Sequence, residues 1–446
     1  MRIEELQQRL EQYSEIEAII HKHQLFSYRD LLRLTESWFQ RLAQNKIEPG
    51  TVVAVTSDYS ADAIALMAAL ILNKNIAVPL TPLAKTQFNE YFKTSYTQSI
   101  IDLTQTTFRI SDRKNDPLQN DLLRNLIEQQ HPGLILFTSG STGQAKAVVH
   151  DFEKLLTKFT HANKGYRSLV FLMFDHIAGI DSYFYSLYSG GTMIFPVSRL
   201  PKEICGLIEK HRVEVLPASP TFLNLLLLSG EHLRHDLDSL KIITFGSERA
   251  PQSLLKRLKN NFPQVRLVQK YGLTELGSPS SKSMEADASW LKIDSPRFKT
   301  KIINKRLHIK SDAAMLGYLN APDPFTGDGW FDTGDTVEVK GEYLRILGRE
   351  SEIINVGGEK VFPVEVEEVI QMMPGVEDVV VSGVPYPITG QIVKASVQLE
   401  TKETLSEFRQ RMRDFCEEKL PRFKIPQKVT LAKDSLHGDR FKKMRG

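Results

Sequence analysis

Cysteine is scarce in this 446-residue chain: Cys205 and Cys416 are the only two. Thiols so far apart give neither a metal-ligand spacing nor a disulfide framework, which excludes a cysteine-stapled secreted scaffold and a zinc module. Long apolar runs are missing too. The longest, around Ala63 to Leu72, runs straight into Asn73, Lys74 and Asn75, so it predicts a buried helix and no membrane span. The start Met1-Arg2-Ile3-Glu4-Glu5 has no signal-peptide apolar core, and a cytoplasmic protein is expected. Neither charge sign dominates: a formal net charge of +3 makes no general case for nucleic acid or a membrane surface as partner. No Gly/Ser-rich linker, coiled-coil heptad or solenoid repeat is evident.

What is present is ordinary globular material, 41% hydrophobic and 25% charged, in a chain long enough for at least two compact units. Short apolar runs recur at Thr51 to Thr56, Leu134 to Thr138, Ser168 to Phe174, Thr192 to Val197, Val213 to Pro217, Ile242 to Phe245 and Val265 to Val268. Helical patterns separate them, which predicts an α/β architecture of mainly parallel sheets with helices on their faces. Leu31, Leu32, Leu34, Trp38 and Leu42 follow helical spacing and are read as core packing. Towards the end, Asp378 to Val381 and Val393 to Leu399 read as strands, and Leu405 to Leu420 as an amphipathic helix stopped by Pro421. The boundary of this small α+β unit falls near Glu350. Asp112 to Asn120 reads as a loop.

Three groups of residues carry chemistry. Thr138-Ser139-Gly140-Ser141-Thr142-Gly143-Gln144-Ala145-Lys146 follows an apolar run, and its glycines let backbone N–H groups approach an anion while Lys146 adds charge. Seen alone, a Ser/Gly surface turn explains it equally well. Lys146 stands between Ala145 and Ala147, so the pattern of a Walker P-loop is not met. Tyr271-Gly272-Leu273-Thr274-Glu275 offers an aromatic ring for a base and a carboxylate for a divalent cation, although a Tyr-Gly turn beside a solvated Glu is the commoner origin of such a pentapeptide. Gly329 to Asp335, followed by Gly348-Arg349 and by Gly357-Gly358-Glu359-Lys360, places an Asp and an Arg where vicinal ribose hydroxyls or a phosphate could be held.

Taken in order, these segments resemble the adenylate-forming superfamily, which includes acyl-CoA synthetases, nonribosomal-peptide adenylation domains and beetle luciferases. The resemblance covers nearly the whole chain, from Ser27 to Arg445. It implies a large multi-sheet α/β domain over residues 1–349, a hinge at 350–352 around Ser351, and a small mobile α+β domain over 353–446. It also implies a two-step reaction. A carboxylate attacks the α-phosphate of ATP to give acyl-AMP and pyrophosphate, and a thiol then takes the acyl group as a thioester.

By the same resemblance Thr138, Ser139, Gly140, Ser141, Thr142, Gly143 and Lys146 grip the β- and γ-phosphates. Gly246, Ser247 and Glu248 with Tyr271 and Gly272 frame the adenine. Thr274 and Glu275 serve the α-phosphate, with Glu275 holding Mg²⁺, and Asp335 with Arg349 holds the ribose. Lys442 aligns with the small-domain lysine that bridges carboxylate and α-phosphate, and Lys443 is its rival because Phe441 stands where a glycine is usual. Ala145 replaces a common proline, and Ser351 stands where the family has Asp or Lys.

His176, followed after a short gap by Gly179, fits members that activate acyl or aryl acids; amino-acid-activating members carry an Asp here, for which Asp175 is the nearest residue. Pocket walls are expected from Phe174 to Tyr183, Ser219 to Leu225, Phe245-Gly246 and Leu273 to Ser278. The acceptor thiol is coenzyme A or the phosphopantetheine of a carrier protein acting in trans, since no carrier domain is fused; Lys360, Arg422 and Lys424 are candidate contacts. A catalytically silent nucleotide-binding relative is the competing reading from another class, and a luciferase-like oxygenase has less behind it, since adenylation implies no oxygen chemistry.

Overall fold

Ser27 and Asp30 start the first long helix as a capping box, each side chain bonding the other's backbone N–H, and the helix runs Tyr28–Gln44. Leu31, Trp38 and Leu42 on one face are buried as their spacing predicts, and the Trp38 indole N–H donates to Asp62 at 3.0 Å. In this computed structural model, residues 2–105, 107–113, 120–138, 145–159, 164–432 and 436 are described. The apolar run at Ala61–Leu72 is a helix with Ala61 and Ala63 to Ile71 buried. It shares one core with Val53 and Val55 of one sheet and Ile19 and Met193 of another. Each buried Leu or Ile there contributes roughly 1.5–3 kcal/mol before entropy is subtracted.

Two seven-stranded sheets dominate; the first is mainly parallel as expected, whereas the second is mixed, with a parallel centre and antiparallel pairs at both ends. The first has the strand order 266–269, 242–245, 215–218, 167–169, 192–195, 17–21, 24–27, and the second 317–318, 146–151, 133–138, 76–80, 52–56, 99–102, 109–112. A third sheet of six strands over residues 281–349 is antiparallel throughout, which the apolar-run reading missed. Its strands are short of apolar runs because one face meets solvent: Phe298–Ile303 reads Phe-Lys-Thr-Lys-Ile-Ile. The expected strand Ser168 to Phe174 also ends early, at Leu169. Its remaining apolar residues, Phe171, Leu172 and Met173, leave the sheet to wall a cleft.

From Ile354 onward a separate five-stranded sheet forms around Gly390–Leu399, with its own core of Val356, Val379, Val393, Phe408 and Met412. The helix Leu405–Glu417 starts on a second capping box, Thr404 with Glu407. This unit packs back on the preceding chain through Arg249, which pairs with Glu368 at 3.1 Å and donates to the Leu347 carbonyl at 3.4 Å. Among the described residues, no helix is long and apolar enough to cross a membrane.

Candidate active site

Open α/β sheets hold ligands beyond the carboxyl ends of their parallel strands. A cleft of about 790 Å³ lies there, walled by Ser219, by Phe245, Gly246 and Ser247, and by Tyr271 to Glu275 at three successive strand ends. Thr333, Gly334, Arg349 and Ser351 close it from the antiparallel sheet and the short turn Glu350–Glu352.

Asp335 and Arg349 face each other across two antiparallel strands, and the guanidinium donates to the carboxylate at 3.3 Å. The other carboxylate oxygen accepts from the Tyr271 hydroxyl at 2.6 Å. Asp335 is 4% exposed and sits behind the lining that Tyr271, Thr333, Gly334 and Arg349 present to the cleft. Burial raises its carboxyl above the ordinary value despite the neighbouring arginine, and burial likewise raises the Tyr271 hydroxyl.

Thr138 and Lys146 stand opposite each other at the base of an antiparallel pair, so they mark the two ends of the hydroxyl-rich loop. Ser139, Gly140, Ser141, Thr142 and Gly143 lie outside the described residues, as do Lys442 and Lys443. The Lys146 ammonium lies 5.0 Å from the centre of the Tyr318 ring, and the Tyr318 hydroxyl donates to Glu275 at 2.7 Å. Lysine, phenol and carboxylate therefore form one row along the cleft. Asn320 fixes its base by accepting from the Ala147 N–H at 2.9 Å and donating to the Ala145 carbonyl at 2.8 Å. This clamp holds the backbone at the position where Ala145 stands in place of proline.

Behind Thr274 lies His150, 1% exposed, with Nε2 at 2.6 Å from the Thr274 carbonyl. Burial pulls its pKa down to about 4, so the ring is neutral at pH 7 and Nε2–H is the donor. Its role is to seat the Thr274-Glu275 backbone, together with the Met315 N–H that donates to the Glu275 carbonyl at 2.7 Å. Tyr318, Asn320 and His150 escaped the sequence reading because their partners are 43 to 175 residues away.

His176 lines the cleft at the start of the helix Ile177–Ser189. Gly179 has a steric reason: a Cβ there would lie 2.0 Å from the Met173 carbonyl, so only glycine lets the helix cross so near. Asp175 turns inward, 7% exposed, and accepts from Thr81 at 2.9 Å. Gly246 is pinned in the same way as Gly179, its notional Cβ 2.6 Å from the Lys270 carbonyl, and Ser247 takes a left-handed φ of 71°. Gly272 likewise passes within 2.5 Å of Ser278 Oγ when a Cβ is added.

Glu248 departs from the arrangement expected of it. Its carboxylate accepts from the Thr221 N–H at 2.8 Å and from the Thr221 hydroxyl, capping the neighbouring helix, and it is not among the cleft-lining residues. Of Ser219 to Leu225, only Ser219 reaches the cleft, because Phe222 and Leu223 turn into the core behind the sheet. Lys424 is paired with Glu365 at 2.5 Å.

The sequence matches the AMP-binding enzyme family over residues 6–318 and the AMP-binding enzyme C-terminal domain over residues 365–441. The long-chain-fatty-acid–CoA ligase FadD13 of Mycobacterium tuberculosis is 32% identical over 327 residues, covering 67% of this chain and 63% of that ligase. The 2-succinylbenzoate–CoA ligase of Bacillus subtilis is 26% identical over 461 aligned positions, 95% of this chain and 92% of the ligase. The chain thus spans less than two thirds of the mycobacterial relative and most of the Bacillus one. Among solved structures, the anthranilate CoA ligase AuaEII in complex with anthranoyl-AMP superposes with a TM-score of 0.84 at 18% identity, covering 99% of this chain and 95% of that one. The o-succinylbenzoate CoA synthetase of Bacillus subtilis with its acyl-adenylate gives 0.79 at 23%, covering 99% and 96%.

Proposed function

The chain belongs to the AMP-binding enzyme family of the adenylate-forming superfamily, and on that premise we propose that it activates a carboxylic acid with ATP and passes the acyl group to a thiol. The first step joins a carboxylate oxygen to the α-phosphorus and releases pyrophosphate. The second breaks the acyl–phosphate bond as the thiol sulfur takes the acyl group and AMP leaves. The observation that supports this reading is the convergence in one cleft of Thr138 and Lys146 at the base of the hydroxyl-rich loop, the Thr274-Glu275 turn, and Tyr271 and Arg349, both bonded to the buried Asp335 behind them.

ATP brings about four negative charges, which must be offset before a second anion can approach it. Lys146 supplies one positive charge and Arg349 another. Glu275 suits Mg²⁺: its carboxylate faces the cleft with Tyr318 as its sole hydrogen-bond donor among the described residues. When bound, Mg²⁺ would neutralise phosphate charge beside Thr274.

Gly246, Ser247 and Tyr271 would border the adenine, with Gly272 allowing the close turn. Asp335 and Arg349 would serve the ribose. An acyl or aryl acid fits better than an amino acid, because His176 reaches the cleft while Asp175 is committed to Thr81. Coenzyme A is the proposed acceptor, with a carrier phosphopantetheine as the alternative. Residues 1–349 would act as the nucleotide-binding body, 350–352 as the hinge about Ser351, and 353–446 as the moving unit that brings Lys442.

The test is pyrophosphate exchange across aromatic, short-chain, fatty and amino acids. Exchange with at least one non-amino acid, followed by thioester formation on adding coenzyme A, is expected. ATP binding by calorimetry with no exchange from any acid would instead identify a silent nucleotide-binding relative.

A further inference from the structure

The active-site cleft continues into a second, larger chamber of about 1240 Å³. Asp181, Ser182, Pro217, Thr244 and Lys270 line both spaces and form the waist between them. The chamber lies against one face of the parallel sheet, between its strands and residues of the helix Ile177–Ser189 and the segment 281–288. On the strands Val215–Ala218 and Ile242–Phe245, Leu216, Ile243 and Phe245 point into the helix-packed core. Their alternating neighbours Val215, Pro217, Ile242 and Thr244 line the chamber.

Lys270 follows the end of the next strand, with its N–H donating to the Phe245 carbonyl at 2.7 Å and its own carbonyl tight against Gly246. The backbone is thereby fixed and the ammonium is carried into the waist. Among the described residues no carboxylate lies within ion-pair distance of it, although Asp181 shares the same waist. Asp181 is taken by a different cation, Lys158, which also donates to the Ser278 carbonyl at 2.9 Å. The carboxylate at the waist is thus taken by Lys158, and Lys270 keeps its charge without an ion-pair partner among the described residues. Burial lowers the pKa of both lysines, and each is lowered further by a neighbouring cation, Lys158 by Lys270 and Lys270 by Arg266. Lys270 keeps accessible surface in the chamber while the protein packed around it penalises its charge, and an arriving anion offsets that penalty.

We infer that the acid activated here carries a second anionic group at its far end, which Lys270 receives at the waist, so that the substrates are dicarboxylic acids, aliphatic or aromatic. This rests on the carboxylate-activating reading above and adds the substrate class. A monocarboxylic chain would lay methylenes against the unpaired ammonium. A diacid places one carboxylate at the reacting end and the other on Lys270.

The test compares pyrophosphate exchange with glutarate, adipate, suberate and terephthalate against their monomethyl esters, which keep length and remove only the distal charge. In the wild-type protein kcat/KM for the best diacid should exceed that of its half-ester by roughly 10- to 100-fold, the range for a hydrogen bond to a charged group. In Lys270→Met that ratio should collapse towards one, and Lys270→Glu should invert it. A wild-type preference for the half-esters, or the same ratio in wild type and Lys270→Met, overturns the inference while leaving acid activation standing. No exchange with either member of any pair, or with the wider acid panel, overturns acid activation and this inference together.

Discussion

The Tyr271 hydroxyl donates to Asp335 at 2.6 Å in a buried contact between residues 64 positions apart in sequence. It joins the turn proposed to border the adenine to the strand proposed to hold the ribose, so both parts of the nucleotide site move as one body. Tyr271→Phe removes a donor from a desolvated carboxylate, which costs about 1–3 kcal/mol of stability. We expect a lower unfolding midpoint and a rise in KM for ATP larger than that for the acid. An unchanged midpoint with unchanged ATP kinetics would show the contact to be incidental.

His150 makes stability depend on pH. Its folded-state pKa of about 4 lies below the ordinary 6.5, so its contribution is complete above pH 6.5 and is lost as pH falls towards 4. Across that window the loss amounts to about 3 kcal/mol at most. Denaturant unfolding at pH 7, 6 and 5 should show the decline, and His150→Asn should flatten it. A variant whose stability falls as steeply as the wild type would assign the effect to other groups.

The Arg249–Glu368 pair spans the two parts of the chain, and burial raises the Glu368 carboxyl, so the arginine is what keeps that charge tolerable. Arg249→Met should weaken docking of the terminal unit by about 1–3 kcal/mol. Limited proteolysis near Ser351 should then accelerate, while Arg249→Lys should partly restore protection. Cleavage at the wild-type rate in Arg249→Met would remove this pair from any account of how the unit is held.

Lys442 is expected to act only in the first step. Lys442→Ala should lower pyrophosphate exchange roughly 100-fold, with thioester formation from preformed acyl-adenylate much less affected. The same profile in Lys443→Ala and not in Lys442→Ala would transfer the role to its neighbour, and equal losses in both steps would reject it for either.

Much of this molecule was legible in one dimension. The buried helix Ala61–Leu72, the amphipathic helix from Tyr28 and the parallel strands at 52–56, 133–138 and 242–245 follow from apolar periodicity, which local burial enforces. The antiparallel sheet over 281–349 was not legible, because strands with one wet face carry charged residues and weak patterns. Glycines announced themselves as punctuation, but that Gly179 and Gly246 are needed for close backbone crossings is visible only once Met173 and Lys270 lie against them.

By itself, the order of residues determined the candidate groups proposed here to meet a nucleotide: the hydroxyl-rich loop ending at Lys146, the Thr274-Glu275 turn, and the Asp335 and Arg349 pair. Short-range chemistry suffices for that, since each motif is complete within a few residues. Only the tertiary structure decided which neighbours act on them. Tyr318 reaches Glu275, His150 seats Thr274, Glu248 turns away to Thr221, and Lys270 has no ion-pair partner among the described residues at the waist between two cavities. Those outcomes depend on contacts between distant segments and on the desolvation such contacts impose, and no local pattern encodes either.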